Sequence, residues 1–281
     1  MKTGVFFNKI FKGKDWPIIG DKFQNFPEVM DDVLKLDNVF LYESKPVAED
    51  LLNKVHTRDL LILLKRAWYY EGAITTIGGM VSALEKIWEG EITNALNFMV
   101  AAGHHAGPAD AWGGTYASIT GPAILNLRIK FPEAKRFAII DTDSHHGDGT
   151  REMFMGDKDV LHVCFCSSET SEDGGTKICV DVGYRTTDKA YLEKVEKNFI
   201  LKVREFKPDL IIHILGHDTC QGDYGDRGVS KEFFLKLTNM INETSLKICE
   251  GRYAITTMGG DRVDIADYIF PNIIKILSGH Y

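Results

Sequence analysis

The sequence has few cysteines, and they are not spaced as in a disulfide framework or a Cys-x-x-Cys zinc knuckle. Five cysteines are scattered over 281 residues, and only Cys164 and Cys166 lie close together. We expect this "CFC" pair to lie in a buried strand as small apolar side chains. The sequence also lacks a Pro- or Ser-rich linker, an internal repeat and any low-complexity segment. We therefore predict a single domain spanning residues 1–281.

An excess of positive charge and a long apolar run are also lacking. The chain has 33 basic and 40 acidic residues, a net charge of −7, which excludes the broad cationic field that attracts nucleic acids. No apolar run approaches the roughly 20 residues of a membrane-spanning helix. The first residues, "MKTGVFFNKIFKGKDWP", mix charges into their apolar stretch and do not resemble a signal peptide. We predict no nucleic-acid partner, no membrane partner and a cytoplasmic location.

Short apolar runs alternate with longer segments of helical periodicity. The runs "GVFF", "NVFLY", "NFMVAA", "RFAIID", "DVLHVCFC", "DLIIHILG" and "YAITTM" predict strands. Segments of helical periodicity lie between these runs. They include "EDLLNKVHTRDLLILLKRAWYY", "GAITTIGGMVSALEKIWEG" and "SKEFFLKLTNMINETSLKICE". This alternation is typical of an α/β fold with a mostly parallel central sheet and helices on both faces.

The residues whose side chains can bind metals or transfer protons follow the predicted strands. Four segments come directly after apolar runs: Gly103–His105, Asp141–His146, His217–Asp218 and Gly259–Asp261. Because sites in parallel α/β sheets form beyond the carboxyl ends of the strands, these four loops can meet in one pocket. We therefore predict a metal site at this edge of the sheet.

The segment "DTDSHHGDGT" supplies the metal ligands of this prediction. Asp143 and His145 are two residues apart, so an extended backbone directs both side chains to the same side. Asp218, after another strand, can provide a third ligand. Three ligands that leave positions open are typical of catalytic zinc, and the same oxygen-rich set would accept iron(II), cobalt(II) or manganese(II). Alternatively, Asp143 and Asp218 could simply cap helices.

The neighbouring histidines, His104 and His105, are candidates for proton transfer beside this metal. A neutral imidazole can accept a proton from water, and a protonated one can assist an amine leaving group. Each needs a carboxylate on its other ring nitrogen to orient it. Asp141 and Asp148 are the candidates for that role, because they lie in the metal loop without being needed as ligands.

The segments "GHHAGPADAWGG", "DTDSHHGDGT" and "LGHDTCQGDYGD" together resemble three motif blocks of the histone deacetylase superfamily. That superfamily includes acetylpolyamine amidohydrolases and acetoin-utilisation proteins and has the arginase/deacetylase-like fold. The resemblance covers about residues 50–262. It implies metal-assisted amide hydrolysis, with Zn²⁺ as the cofactor and a structural K⁺ beside the metal loop.

Carried over residue by residue, the resemblance implies a role for each motif position. It implies metal binding by Asp143, His145 and Asp218. It implies acid–base catalysis by His104 and His105, paired with Asp141 and Asp148. Asp223 matches a further acid near the substrate or the metal, and His146 a supporting residue behind the ligands.

The sequence departs from the family at two places. The family's fourth block ends in Gly-Gly-Tyr, whose phenol donates to the oxyanion, whereas here "MGGDRVD" has Asp261 at the tyrosine position. Loss of one oxyanion donor typically costs a factor of about 10²–10³ in rate. Gly114 stands where relatives have an aromatic residue of the acyl tunnel. We therefore expect a wider, wetter pocket and poor activity on acetyl-lysine peptides.

Three functional hypotheses follow. The first is a zinc-dependent amidohydrolase that acts on a small acylated amine, such as an acylated polyamine, or on a related amide. The second is a regulatory or ligand-binding protein in which Asp261 has weakened or abolished catalysis. The third, arginase-like dinuclear hydrolysis, needs a second-metal acid where this sequence has Gly147.

Overall fold

Nine strands form one sheet in the computed structural model, which describes residues 1–281. In spatial order the strands run β2-β1-β3-β9-β8-β4-β5-β7-β6, and every neighbouring pair is parallel except the edge pair β6 and β7. Their bounds are β1 Thr3–Phe7, β2 Val39–Glu43, β3 Asn94–Asn97, β4 Phe137–Asp141, β5 Val160–Cys166, β6 Thr170–Glu172, β7 Lys177–Asp181, β8 Leu210–Leu215 and β9 Tyr253–Thr257.

Helices cover both faces of this sheet. Their bounds are α1 Glu49–Leu52, α2 Arg58–Arg66, α3 Tyr70–Trp88, α4 Thr120–Lys130, α5 Asp148–Met153, α6 Asp188–Val195, α7 Leu201–Phe206, α8 Lys231–Ile248 and α9 Val263–Ser278. One π-helical turn, Glu196–Ile200, joins α6 to α7. Side-chain oxygens of Thr57, Thr187 and Ser230 accept backbone N–H bonds at the starts of α2, α6 and α8.

The central strands are buried on both faces, which explains why their sequences are almost continuously apolar. Successive β4 side chains point to opposite sides of the sheet. Ala138 and Ile140 join the core beneath α8 and α9. Phe137 and Ile139 join a second core beneath α3 and α4. These two apolar layers hold the sheet rigid beneath the loops at its carboxyl edge.

The predicted α/β architecture is confirmed, with four differences in detail. Strand β3 ends at Asn97, so the rest of the predicted run "NFMVAA" is loop. The helical pattern over residues 49–70 is interrupted between α1 and α2, where His56 Nδ1 bonds Gly107 O at 3.0 Å. Strand β7 was not predicted, because its short run "KICVD" has a charge at each end. Strand β6 is exposed along its length and has no apolar signal. No helix is both long and apolar enough to cross a bilayer.

Candidate metal centre

Four loops meet at the carboxyl edge of the sheet, as the sequence predicts. They follow β3, β9, β8 and β4, which are consecutive neighbours in the sheet and parallel to one another. Because parallel strands end at the same edge, residues distant in sequence become adjacent there. The site is thus assembled from the 103–105, 141–148, 217–224 and 258–260 segments.

Asp143, His145 and Asp218 converge on one point. His145 Nδ1 lies 3.0 Å from Asp143 Oδ1 and 3.0 Å from Asp218 Oδ2. Both carboxylates are buried, and each accepts a backbone N–H bond, from Gly259 at 2.8 Å and from Ser144 at 3.1 Å respectively. These bonds fix the oxygens without covering the point on which the side chains converge.

The chemistry of this donor set fits a divalent cation. Burial, reinforced by the charge of Asp143, raises the pKa of Asp218 to about 7, so the second carboxylate needs a positive partner to stay ionised at neutral pH. One imidazole and two carboxylates are ligands that zinc accepts. Gly259 leaves room for them, because a Cβ there would lie 2.4 Å from Asp143 Oδ2.

The tandem histidines pair with the two predicted carboxylates. His104 Nδ1 lies 2.9 Å from Asp141 Oδ2, and His105 Nδ1 lies 2.7 Å from Asp148 Oδ1. Trp112 Nε1 donates to the second Asp148 oxygen at 2.7 Å, so this carboxylate is held from two sides. With both Nδ1 atoms engaged, the Nε2 atoms are the ones available to chemistry.

The two imidazoles differ in their protonation. Burial opposes protonation of His104, but the carboxylates of Asp141 and Asp143 raise its pKa to about 9. Burial lowers the pKa of His105 to about 4, with a further contribution from the charge of His104, against the effect of Asp148. The carboxylates around His104 thus favour its protonated form, whereas burial favours the neutral form of His105.

A cavity of about 230 Å³ opens above these residues. The candidate metal ligands Asp143 and His145 and both tandem histidines line its floor. Its walls are apolar and comprise Ile18, Ile19, Met99, Trp112 and Met258. These walls do not favour the wetter pocket that the sequence leads us to expect. Gly114 lines the cavity with φ at +78°, and a Cβ there would lie 2.8 Å from Ile18 Cγ1, so an N-terminal loop occupies the space beside it.

The comparisons with known proteins agree with this geometry. Residues 67–277 match the family model described as "Histone deacetylase domain". The chain belongs to this histone deacetylase family. The "Probable deacetylase" of Archaeoglobus fulgidus is 24% identical over 99% of this chain and 87% of its own length.

Other relatives of this deacetylase-family chain are longer. "Histone deacetylase HDA1" of Saccharomyces cerevisiae is 28% identical over 75% of the chain, which spans only 32% of that protein. "Histone deacetylase-like amidohydrolase" of Pseudomonas aeruginosa is 25% identical over 75% of the chain and 59% of its own length. The crystal structure of the HDA15 HD domain superposes with a TM-score of 0.85 at 20% identity, covering 99% of this chain and 89% of that one. The fold is thus that of the deacetylases.

The structure does not bring Asp261 into the cavity. Its side chain is exposed, and only its backbone N–H is bonded, to Asp223 Oδ1 at 3.4 Å. The preceding Gly260 has φ at +102°, and this turn directs residue 261 to the surface. Asp223 is buried and also accepts the Tyr224 N–H bond at 2.8 Å, so it braces the loop and does not line the cavity.

A tyrosine that sequence reasoning missed stands beside the ligands. Tyr224 lines the cavity, and its ring lies 5.8 Å from that of His145, centroid to centroid. Its phenol oxygen accepts the Gly260 N–H bond at 2.9 Å. Burial and the charges of Asp218 and Asp143 raise the pKa of Tyr224, so the phenol keeps its proton. The only sequence signal was an aromatic residue in the loop after Asp218.

His146 turns away from the cavity towards three cysteines. Its Nδ1 lies 3.3 Å from Cys179 Sγ and 3.7 Å from Cys166 Sγ. The predicted "CFC" strand is confirmed as buried, but its sulfurs are not surrounded by apolar side chains alone. His146 therefore does not contact the ligands in the way the resemblance implied.

Proposed function

We propose that this chain is a zinc-dependent amidohydrolase that removes an acyl group from an acylated amine. The observation that supports the proposal most directly is the convergence of Asp143, His145 and Asp218 with two His–Asp pairs on one cavity floor. Relatives named deacetylase and amidohydrolase are consistent with this reaction class. The choice of zinc over iron(II), cobalt(II) or manganese(II) is part of the proposal, as are the site roles of individual residues.

A divalent ion held by Asp143, His145 and Asp218 would supply Lewis acidity towards an acyl oxygen and would lower the pKa of a bound water. The chain's own residues move the protons. His105, whose Nδ1 is engaged by Asp148, offers Nε2 to accept a proton from the attacking water. His104, whose Nδ1 is engaged by Asp141, presents Nε2 beside His105 for the second proton transfer. The same imidazoles then return a proton to the leaving amine.

Tyr224 supplies the hydrogen-bond donor that the sequence lacks at position 261. Its oxygen accepts the Gly260 N–H bond, so its own hydrogen is free to donate. A Cβ at Gly259 would lie 2.8 Å from Tyr224 Oη and 2.4 Å from Asp143 Oδ2, which puts the phenol next to a ligand carboxylate. A donor at this place stabilises negative charge on the acyl oxygen. The family's tyrosine role thus comes from a different loop.

The cavity suits a small acyl group. About 230 Å³ between Met99, Met258, Ile19 and Trp112 accommodates a short apolar chain and disfavours a charged one. The amine would then lie towards the open rim, where Ile18 is exposed. We propose small acylated amines, acetylated polyamines among them, as substrates.

The test is an assay of acid release by the purified chain, stripped of metal and reloaded with zinc, iron(II) or cobalt(II). Acetylated polyamines, acetyl-lysine peptides and short amides form the substrate panel. We expect turnover of at least one acylated amine that is lost in Asp218→Asn and in His105→Ala. Absence of turnover for every substrate and every metal would contradict the proposal. A strong preference for acetyl-lysine peptides would contradict the substrate class alone.

A further inference from the structure

Three cysteines and a histidine form a second group of metal-ligating side chains, separate from the cavity. Cys164 and Cys166 lie two residues apart on β5 and therefore share a face of the sheet. Cys179 on the neighbouring strand β7 is the parallel register partner of Cys164. His146, in the loop after β4, lies over the same face. The four ligand atoms all lie within 4.8 Å of one another.

These spacings match tetrahedral coordination. Zinc–sulfur bonds of about 2.3 Å and zinc–nitrogen bonds of about 2.0 Å separate sulfur from nitrogen by roughly 3.5 Å around one ion. His146 Nδ1 lies 3.3 Å from Cys179 Sγ and 3.7 Å from Cys166 Sγ. These two distances fit one tetrahedral centre, and the remaining ligand atoms lie within 4.8 Å of one another.

The surroundings of the sulfurs suit thiolates. Arg151 is buried and directs Nη1 at Cys179 Sγ, 3.0 Å away. The Gly147 N–H donates to Cys164 Sγ at 3.3 Å. The other guanidinium nitrogens of Arg151 bond Glu172, Thr170 and the Lys177 carbonyl, so Nη1 is the one directed at the sulfur. Hydrogen-bond donors of this kind orient the ligands of a metal site.

We infer that His146, Cys164, Cys166 and Cys179 form a structural zinc site that joins β5, β7 and the catalytic-metal loop. Three sulfurs and one nitrogen complete a tetrahedron, so no position is left for water or substrate. All three cysteines are fully buried, which is consistent with a closed site. His146 directly follows His145, so the second ion would fix the backbone that presents a ligand to the first.

The test uses cobalt(II) as a spectroscopic probe in the full-length chain under reducing conditions. Cobalt bound to thiolates gives an intense near-ultraviolet charge-transfer band, which oxygen and nitrogen ligands alone do not give. We expect this band in the wild type and two metal ions per chain by elemental analysis after zinc loading. Cys164→Ser/Cys166→Ser should lose the band and one ion. Cys220→Ser/Cys249→Ser alters buried cysteines outside the group. This variant should keep the charge-transfer band and both metal ions.

Asp218→Asn distinguishes failure of this site from failure of the proposed hydrolase function. It should abolish turnover and keep the charge-transfer band, because Asp218 is not among the sulfur site's ligands. If the serine variant fails to fold, thiol titration of the wild type replaces it. In urea, all five thiols of the chelated chain should react, and zinc should protect three of them. Absence of the band in reduced, cobalt-loaded wild type, or one ion per chain after zinc loading, would overturn the inference.

Discussion

Replacing Tyr224 by phenylalanine removes one hydroxyl beside the metal ligands and leaves the ring in place. The hydroxyl has a single bonded partner in the folded chain, the Gly260 N–H at 2.9 Å. Losing that bond costs about 1 kcal/mol of stability, and for a chain of this size a change of 1 kcal/mol shifts Tm by about 2–4 °C. The variant should therefore fold and load metal at the working temperature.

The expected effect on catalysis is much larger than the effect on stability. Removing one preorganised oxyanion donor lowers kcat by a factor of about 10²–10³, equivalent to about 2.7–4 kcal/mol of transition-state stabilisation. KM should change little, because the donor acts mainly on charge that develops in the transition state. The assay is steady-state hydrolysis of the best substrate from the panel, with metal content measured on the same samples.

Asp261→Asn is the matched control. Its side chain is exposed and outside the cavity, so kcat should stay within about twofold of wild type. Asp261→Tyr should likewise raise kcat little, since the Tyr224 phenol already provides the hydrogen-bond donor. The reasoning would be refuted if Tyr224→Phe kept wild-type kcat, or if Asp261→Asn alone caused the loss.

Three further perturbations test the site and its scaffold. Asp148→Asn should lower kcat by about 10²–10⁴ at unchanged metal content, because His105 loses its orienting carboxylate; retention of activity would contradict the assigned pair. Gly259→Ala should weaken zinc binding by about 10–100-fold in calorimetric titration, since the added Cβ displaces Asp143 Oδ2; unchanged affinity would contradict the ligand assignment. Phe98→Ala should lower the free energy of unfolding, measured by urea denaturation, by about 3–5 kcal/mol. The reason is that Phe98 is fully buried against four aromatic rings, those of Phe7, Phe23, Phe26 and Phe270. A cost under about 1 kcal/mol would contradict its place in the core.

The convergence of residues that the sequence predicts rests on their position just after strands. Asp143 and Asp218 come straight after β4 and β8, whose apolar runs are unmistakable, and parallel pairing brings the ends of those strands together. The place of Asp141 and Asp148 in the metal loop made them candidates to orient the histidines, but spacing did not say which carboxylate pairs with which histidine. The geometry of the His105 and Asp148 pair also needs Trp112, whose indole N–H donates a hydrogen bond to Asp148. No pattern in the sequence indicated this bond.

The parts that sequence did not reveal depend on contacts between distant loops. Position 261 aligns with the family's tyrosine, but Gly260 turns it outward, and the phenol comes from Tyr224, thirty-seven positions earlier. Gly114 suggested an open pocket because the approach of Ile18 across nearly a hundred residues could not be foreseen. Cys179 joined the "CFC" pair only through the register between β5 and β7.

Strand β9 occupies the middle of the sheet although it is the last strand in chain order. It pairs with β3 on one side and β8 on the other, so it is the only link between the β2-β1-β3 and β8-β4-β5-β7-β6 halves. During synthesis the two halves cannot be joined through the sheet until residues Tyr253–Thr257 leave the ribosome. Loop-closure entropy makes such non-local pairing slow, so the nascent chain exposes two unfinished edges. Chaperone dependence during folding is the expected consequence of this late central strand.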